Sequence, residues 1–250
     1  MPLLSATDLG HGPGIVLLHG VGVGADTFLE LARLLAADHR VLVLERPGGD
    51  GWAVPIDEQA EAVAETMVEL RCTGAVVVGV SGGATVALAL GIHHAKVIGG
   101  LVLHEPLVGP LAPELHDRFT EAARHAQQGD AEALDVVRSL LGVSTWERLG
   151  LSGRVQVEAG ASRARAEVPM FAAFSPTAVE LATLRRWPVL TTIGGHSGPE
   201  RRAAAEVLAT LAGASVAVVP DAGNAAQLDA PAALAGIIRA WHPAPVGCGS

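Results

Sequence analysis

Short runs of apolar residues recur along the chain, and segments with helical spacing separate them. The runs lie at residues 14–20, 40–45, 74–80, 96–105, 187–195 and 215–220. Strands that are apolar throughout, rather than alternating, are buried on both faces and are typical of parallel sheets covered by helices. The sequence therefore predicts an α/β fold with a mostly parallel, twisted sheet and helices on both faces.

The helical segments follow the strands closely, with one long exception. Helices are predicted at 25–38, at 57–72 with Asp57 as N-cap, at 83–93, at 199–213 with Gly213 as its end, and at 230–241. Residues 106–186 contain helical patterns but no convincing strand. Because ligands bind outside the carboxyl ends of parallel strands, an insertion that leaves after Glu105 is placed to cover a site. We predict a core of 1–105 and 187–242, a helical lid of 106–186 and a disordered tail of 243–250.

Composition excludes several classes of function. Half of the 250 residues are hydrophobic, which suffices for one large core, and the net charge of −9 argues against nucleic acid. The sequence shows no apolar stretch long enough for a membrane helix and no signal peptide. Cys72 and Cys248 are far apart in the chain, so a disulfide framework is not expected. We expect a cytoplasmic monomer or homodimer that acts on a small molecule without binding nucleic acid or a membrane.

The strongest chemical signal is the segment Gly79-Val80-Ser81-Gly82-Gly83 between a predicted strand and a helix. A serine at such a turn is held in a strained conformation above the sheet, and only small neighbours fit beside it. The helix that starts at Gly82 points free N–H groups at the same spot, where they favour developing negative charge. Ser81 is therefore the candidate nucleophile.

A second loop after the first buried strand supports this interpretation. His19-Gly20 ends the strand, and the backbone N–H of Val21 is placed to form an oxyanion hole together with that of Gly82. His19 is included among the candidate pocket residues, although a histidine at a strand end more often supports a loop through hydrogen bonds.

With these motifs the chain resembles the α/β-hydrolase fold family over residues 14–241. The resemblance rests on the His-Gly loop, "ERPGGDG" (45–51), the turn at Ser81, "LVLHEP" (101–106) and two late loops, "VLTTIGGHSGPE" and "VVPDAGNAAQLDAP". It implies a nucleophile elbow at Ser81, with the acid and histidine of a catalytic triad on the two late loops.

The triad positions depart from that family pattern. His196 stands where members usually carry the acid, and Asn224 stands where they usually carry histidine. An amide is not basic near neutral pH, so Asn224 cannot accept the serine proton. Glu105 is a reserve candidate for the acid, since some members draw it from this region, but more often such a residue anchors the lid.

Three functions remain open at this point. The first is lyase, cyclase or isomerase chemistry on a carbonyl compound held in the oxyanion hole, by Ser81, Asn224 and His196. The second is an ester, thioester or lactone hydrolase with His196 as a rebuilt base. The third is a binding protein that has lost activity. If the acid partner is missing, Asn224→His should raise the reactivity of Ser81 only modestly.

The predicted lid supplies apolar side chains for a pocket: Phe119, Trp146, Met170, Phe171 and Phe174. Such a pocket suits a small, largely apolar metabolite. Arg163 and Arg165 are placed to meet an acid group, and Arg46 is expected to pair with Asp50. No histidine pair has the spacing of a metal site, and "GVGVG" (20–24) lacks the dinucleotide fingerprint, so neither a metal nor a cofactor is predicted.

Overall fold

The computed structural model describes residues 3–49, 51–108, 111 and 113–241; the predicted tail and Asp50 lie outside them. The strands are β1 Ala6–Gly10, β2 Gly14–Leu18, β3 Arg40–Leu44, β4 Ala75–Val80, β5 Ile98–His104, β6 Val189–Gly194 and β7 Ser215–Val219. The α-helices are α1 Leu29–Leu35, α2 Ile56–Glu69, α3 Gly82–His93, α4 Pro113–Ala126, α5 Asp130–Leu141, α6 Val143–Arg148, α7 Leu151–Ala159, α8 Ala161–Ala172, α9 Ala178–Thr183, α10 Pro199–Ala212, α11 Ala226–Asp229 and α12 Pro231–Trp241. Short 3-10 helices lie at Ala25–Phe28, Ala95–Val97 and Leu184–Arg186.

The strands form one sheet in the order β1-β3-β2-β4-β5-β6-β7, and β2 to β7 run parallel. The edge strand β1 is antiparallel to β3, with Ala6 opposite Leu44. Sequence patterning missed β1 because its residues are almost all exposed and form no apolar run. The predicted α/β fold with a mostly parallel sheet is confirmed.

Both faces of the sheet are covered, as the uninterrupted apolar strands predict. In β2, Ile15 and Leu17 pack with α1 and α12, whereas Val16 and Leu18 pack with α2 and α3 on the other face. Successive side chains in a strand point to opposite faces, so each strand serves two cores. Helix packing on both faces therefore fixes the position of each strand. The residues that follow the carboxyl ends of the parallel strands lie along one edge of the sheet.

Two predicted helix ends can be compared with the structure. α10 ends as predicted, because Gly213 adopts the left-handed conformation with φ of 69°. The N-cap expected at Asp57 is wrong. α2 begins at Ile56 with Pro55 in the capping position, and Asp57 instead lies in the first turn, where its charge favours the helix dipole.

The helices α4 to α9 lie between β5 and β6 in the sequence, and the described residues of this segment form no strand. Five of the helices contribute buried side chains to the core, among them Phe119 of α4, Val137 of α5, Val157 of α7, Phe171 of α8 and Leu181 of α9. This helical segment is therefore packed against the sheet domain rather than extended into solvent.

A buried arginine joins the helical segment to the sheet. The Arg46 side chain follows β3 and donates five hydrogen bonds, to His19 O, Gly20 O, Gln59 Oε1 and both carboxylate oxygens of Glu167 on α8. Arg46 and Glu167 have fully buried side chains, and their closest nitrogen–oxygen distance is 3.1 Å. One guanidinium thus holds the His-Gly loop, α2 and α8 together.

The same network accounts for Arg163, which was expected to meet a substrate acid. Its Nε lies 3.0 Å from Glu167 Oε1, and its Nη1 lies 2.9 Å from Glu45 Oε1. Burial alone would raise the pKa of Glu167, but the charges of Arg46 and Arg163 hold that pKa below its usual value. Arg163 is therefore structural, and Arg165 pairs with Asp130 at 3.3 Å.

Replacing Arg46 should destabilise the fold strongly. Arg46→Met leaves the Glu167 carboxylate buried with only part of its charge compensated, so we expect a loss of about 3–5 kcal/mol in the free energy of unfolding, measured by urea denaturation. Because the pKa of Glu167 is lowered by folding, its contribution is present at neutral pH and is lost as the pH falls through the folded pKa. The difference between the two proteins should therefore shrink in acid.

The control is Arg40→Met, which removes an exposed arginine that pairs with Asp8 at 2.8 Å. Exposed ion pairs contribute about 0–1 kcal/mol, so this variant should unfold almost as the wild type does. Equal effects of the two substitutions would contradict the role given to Arg46.

Candidate active site

Ser81 lies at the turn between β4 and α3, with φ of 55° and ψ of −119°. Its N–H donates to His104 O at 2.8 Å, which ties the turn to β5. A Cβ at Gly83 would lie 2.0 Å from Leu18 O, and one at Gly79 would lie 2.4 Å from Gly83 O. Real side chains never approach backbone this closely, so glycine is required at both positions and the strained turn is packed in place.

Two backbone N–H groups lie beside Ser81. Gly82 is the first residue of α3, and a Cβ built on it would lie 3.3 Å from the Val21 nitrogen. Neither the Gly82 nor the Val21 N–H donates a hydrogen bond to another described residue. The loop after β2 and the start of α3 thus bring together the pair of free donors that the sequence predicted.

Ser81 lines a small void of about 20 Å³. Ser81 Oγ is buried and has no hydrogen-bond partner among the described residues, and the same holds for Gln227 Oε1 in the wall of this void. A void of this size has room for about one water molecule. Two unsatisfied polar atoms therefore share a space that suits one small polar group.

Asn224 also borders this void, and its amide is held by Glu105. Asn224 Nδ2 donates to Glu105 Oε2 at 3.1 Å. A carboxylate only accepts hydrogen bonds, so the amide nitrogen must face Glu105. The carboxylate next to Asn224 therefore comes from the residue after β5, and not from the loop after β6 where members of the family usually carry the acid.

The Glu105 carboxylate is anchored from two further sides. Gly194 N–H donates to its Oε1 at 2.9 Å, the Ser197 hydroxyl donates to the same oxygen, and Arg201 Nε lies 3.7 Å from Oε2. Burial alone would raise the pKa of Glu105, but the Arg201 charge and the hydrogen bonds from Ser197 and Gly194 keep that pKa below its usual value. Glu105 is therefore ionised at neutral pH, and it joins the loops after β5, β6 and β7 rather than anchoring a lid.

His104 forms hydrogen bonds with β6 and with the loop after β7. Its Nδ1 lies 3.0 Å from the Thr192 hydroxyl, and its Nε2 lies 3.0 Å from Gly223 O. Burial lowers the pKa of His104, so the ring is neutral and bears its proton on Nε2, which donates to the carbonyl. This bond fixes the backbone immediately before Asn224.

Asp229 completes the support of the Asn224 loop. Its Oδ2 accepts from Gly223 N–H at 2.8 Å, and its Oδ1 accepts from the Thr145 hydroxyl and from Arg148. Thr145 and Arg148 lie on α6, so the loop after β7 is hydrogen-bonded to the helical segment as well as to the sheet.

The structure does not bring His196 into this cluster. The residue is exposed, its N–H donates to Ala222 O at 2.9 Å, and its ring forms no hydrogen bond with any described residue. The turn that places Ser197 on Glu105 leaves the neighbouring His196 side chain exposed, in the wall of a cavity that Asn224 and Glu105 also line. The predicted chain Ser81–Asn224–His196 is replaced by Ser81, Asn224 and Glu105.

His19 holds the His-Gly loop through hydrogen bonds and lines neither the void at Ser81 nor the larger cavity next to Asn224. Its Nδ1 lies 3.0 Å from Gly20 O, and its Nε2 accepts from Arg46 N–H at 3.0 Å. Burial, together with the nearby Arg46 charge, lowers the pKa of His19 and keeps the ring neutral. Its placement in the substrate pocket is wrong, because the strand end turns its ring into the core.

A larger cavity of about 940 Å³ lies beside Asn224. It is enclosed by α4, α5 and α6 and by the loops after β5, β6 and β7. Leu140 and Leu141 of α5 line both this cavity and the void at Ser81, as does Asn224. The two leucines therefore stand between the large cavity and the nucleophile.

The cavity wall differs from the apolar pocket that the sequence predicted. Phe119 lines it, but Trp146, Met170, Phe171 and Phe174 do not. Phe171 is fully buried, and the Arg46 guanidinium lies 5.4 Å from its ring. Trp146 stacks with guanidinium groups of Arg138 and Arg154, while Met170 and Phe174 pack against the main core. Helical spacing could not tell these core-facing aromatics from cavity-facing ones.

Sequence reasoning left Glu105 in reserve and overlooked Gln227 and Arg201. A charged residue directly after a buried strand was the available signal for Glu105. The described residues contain no cluster of ligating side chains that could hold a metal ion and no helix able to cross a membrane.

Comparison with known proteins relates these features to a family. The family model described as "Alpha/beta hydrolase family" matches residues 15–237. Among curated proteins, a pimeloyl-(acyl-carrier protein) methyl ester esterase of Vibrio atlanticus is 32% identical over 93 residues, 37% of this chain and 36% of that enzyme. An uncharacterized hydrolase of Bacillus subtilis is 30% identical over 108 residues, 40% of this chain and 39% of that protein. The chain thus aligns with well under half of the length of these curated relatives.

Solved structures match over nearly the whole chain. A thermophilic esterase from Thermogutta terrifontis superposes with a TM-score of 0.78 at 23% identity, covering 95% of this chain and 92% of that one. The enol-lactonase of Burkholderia xenovorans gives 0.76 at 20% identity, covering 95% of each. At these identities the likeness shows the fold alone. Because the family match spans most of the chain and the fold agrees with it, this protein belongs to the alpha/beta hydrolase family.

Proposed function

We propose that the protein is a serine-type hydrolase that cleaves an ester, thioester or lactone of a small metabolite. The observation that carries the proposal is Ser81 itself, in a strained conformation with its buried hydroxyl unpartnered among the described residues, beside the free N–H groups of Val21 and Gly82. Strain of this kind costs energy and is typical of a site that positions a reacting atom. A binding protein would gain nothing from it.

The relatives support hydrolysis over the lyase, cyclase or isomerase chemistry that Asn224 first suggested. The matched proteins whose names state an activity include a methyl ester esterase, a thermophilic esterase and an enol-lactonase. In the reaction we propose, Ser81 Oγ attacks the carbonyl carbon, and the carbonyl oxygen takes up negative charge facing the N–H groups of Val21 and Gly82. Collapse of this intermediate breaks the bond to the alcohol or thiol, which leaves with the proton lost by Ser81. Water then attacks the acyl-serine, the carboxylic acid leaves, and the remaining proton of the water returns to Ser81 Oγ; Gln227 lines the void in which this water would lie.

The proton of Ser81 is the difficulty in this reaction. Asn224 is a neutral amide, and Glu105 lies behind it, hydrogen-bonded to Asn224 Nδ2. Without a base next to the hydroxyl, the serine attacks slowly, and the oxyanion donors and substrate binding supply the remaining rate enhancement. We therefore propose a slow hydrolase whose site retains an ordered acid partner.

Access to Ser81 requires a movement of α5. The void of about 20 Å³ is too small for an ester, and Leu140 and Leu141 separate it from the cavity of about 940 Å³. We propose that the substrate occupies the larger cavity and reaches Ser81 when these leucines are displaced.

Asn224→His should create an efficient site. Glu105 already lies where it would hold the introduced imidazole, so kcat/KM for p-nitrophenyl butyrate should rise about 10²- to 10⁴-fold, rather than the modest gain expected without an acid partner. Activity should increase with pH through the imidazole pKa, near the unperturbed value of about 6.5 and raised by the Glu105 charge, because only the neutral ring accepts a proton.

Two controls accompany this substitution. Adding Glu105→Gln to Asn224→His should remove most of the gain, and adding Ser81→Ala should abolish it. A gain that persists without Glu105, or no gain at all, would show that the three residues do not act as one unit.

His196→Ala should have little effect if His196 is not the base. We expect kcat/KM of the otherwise unmodified protein to fall less than about tenfold, equivalent to about 1.4 kcal/mol, with no change in the shape of the pH profile. The matched control is His125→Ala, which removes another histidine from the wall of the same cavity. A loss of two or more orders of magnitude that is specific to His196→Ala would restore the rebuilt-base mechanism.

Leu140→Ala should speed the reaction of bulky reagents with Ser81. In the Asn224→His background, a large fluorophosphonate should label the Leu140→Ala protein several times faster, because the separation between the two cavities is reduced. Leu134→Ala shortens another leucine of α5 that packs against the core and lines neither cavity, so its labelling rate should stay unchanged. Equal rates in all three proteins would mean that α5 does not limit access.

A further inference from the structure

Arg201 is a cavity-lining arginine whose hydrogen-bonding groups are unused. It lies in the first turn of α10, and its guanidinium sits over the Phe119 ring at 5.1 Å. Its Nε lies 3.7 Å from Glu105 Oε2, which is an ionic contact beyond hydrogen-bond distance. Its Nη1 is buried without a partner, and the side chain donates no hydrogen bond within the described part of the chain.

The contrast with Arg46 shows how unusual this is. Arg46 has a fully buried side chain and donates five hydrogen bonds, whereas Arg201 keeps 12% of its side chain exposed and donates none to a described residue. A guanidinium has five N–H donors, and a buried donor left unpaired is costly. Glu105 accepts hydrogen bonds from Gly194, Ser197 and Asn224 but none from Arg201, whose Nε lies 3.7 Å away. Arg201 therefore retains donors that a second anion could use.

The remaining charges of the cavity wall are largely committed to one another. Acidic wall residues pair with arginines as follows: Glu200 with Arg118, Asp229 with Arg148, Glu121 with Arg124, and Asp135 with Arg138. Asp117 is the exception among the described acidic wall residues, and it is exposed, where water screens its charge. Arg201 is itself in ionic contact with Glu105, but its Nη1 is buried without a hydrogen-bond partner among the described residues, so this arginine of the cavity wall has donors left for a ligand.

We propose that Arg201 recognises a carboxylate that the substrate carries in addition to its ester group. The proposal rests on the proposed function and specifies its substrate class. Arg201 Nε and Asn224 Nδ2 both approach the same oxygen, Glu105 Oε2, so the bound carboxylate lies a short spacer away from the reacting carbonyl. A planar guanidinium with free donors fits a carboxylate in bidentate fashion, and the Phe119 ring beneath it suits the aliphatic spacer.

The test compares esters that differ only in this charge. Phenyl hexanoate is the neutral reference, monophenyl adipate places the carboxylate on an acyl group of the same length, and 4-(carboxymethyl)phenyl hexanoate places it on the alcohol. We expect wild-type kcat/KM to favour one of the charged esters over the neutral one by about 10- to 100-fold after subtraction of the uncatalysed rate. Equal rates for the neutral ester and both charged esters would overturn the proposal.

Variants then assign the preference to Arg201. Arg201→Met should reduce the ratio of charged to neutral kcat/KM to about one, and Arg201→Lys, which keeps the charge without the planar fork, should retain part of it. Arg124→Met removes a positive charge from α4 that pairs with Glu121, and it should leave the ratio unchanged. A preference that survives Arg201→Met would overturn the proposal. If Arg201→Met does not fold, the wild-type and Arg201→Lys ratios decide, and an unchanged ratio in Arg201→Lys would contradict recognition by the planar fork.

Direct binding separates this proposal from the proposed hydrolase activity. Isothermal titration of the wild type should show adipate binding at least tenfold more tightly than hexanoate, with the difference lost in Arg201→Met. That result would support carboxylate recognition even if no ester were hydrolysed, in which case the hydrolase proposal alone would fail. If neutral esters were hydrolysed but adipate bound no more tightly than hexanoate, the hydrolase proposal would stand and the carboxylate proposal would fail.

Discussion

The buried carboxylate of Glu105 is the interaction on which the arrangement of the site depends. It follows β5, and it accepts hydrogen bonds from the backbone of Gly194 after β6, from Ser197 in the same loop and from Asn224 after β7. These loops come from adjacent strands of one parallel sheet, so a single anion at the strand ends can fix all of them. The donors and the Arg201 charge also offset the cost of keeping a carboxylate ionised in the interior.

Two arginines show different solutions to burying a positive charge. Arg46 is saturated by carbonyls, an amide and the Glu167 carboxylate, and this network joins the loop that carries Val21 to α8. Arg201 keeps 12% of its side chain exposed and approaches the Glu105 carboxylate at 3.7 Å. A saturated guanidinium stabilises structure, whereas an unsaturated one next to a cavity has donors to offer a ligand. The number of hydrogen bonds that each guanidinium donates is the clearest difference between the two.

The site combines a fully formed nucleophile turn with an amide where proton transfer is needed. Ser81 keeps the strain, the two N–H groups and the glycines that allow close packing. Asn224 preserves the hydrogen bond to Glu105 that orients it but has no basicity to contribute. In the reaction that we propose, positioning and oxyanion stabilisation therefore act without a general base beside the serine, and the rate depends on how much these two supply.

Local patterning determined much of this molecule. The apolar runs of β2 to β7 and the helical spacing between them predicted the sheet and its covering helices, since burial on two faces leaves a clear mark on composition. The spacing of Gly79, Ser81 and Gly83 predicted the strained turn, because backbone closer than a Cβ allows requires glycine. The absence of a basic residue at Asn224 was also visible in the sequence, as was the resemblance to the family.

Only the tertiary structure decided which side chains meet. The sequence placed His196 and Glu105 alike at strand ends, and the turn after β6 exposed His196 while the neighbouring Ser197 reached Glu105. It likewise gave no means to tell Phe119, which lines the cavity, from Phe171, which packs beneath Arg46. The direction of a side chain at a loop or on a helix depends on the elements packed against it from distant parts of the chain. Residue type and spacing therefore determined the fold and the turn at Ser81, and long-range packing determined the contact between Asn224 and Glu105, the cavity wall and the unsaturated Arg201.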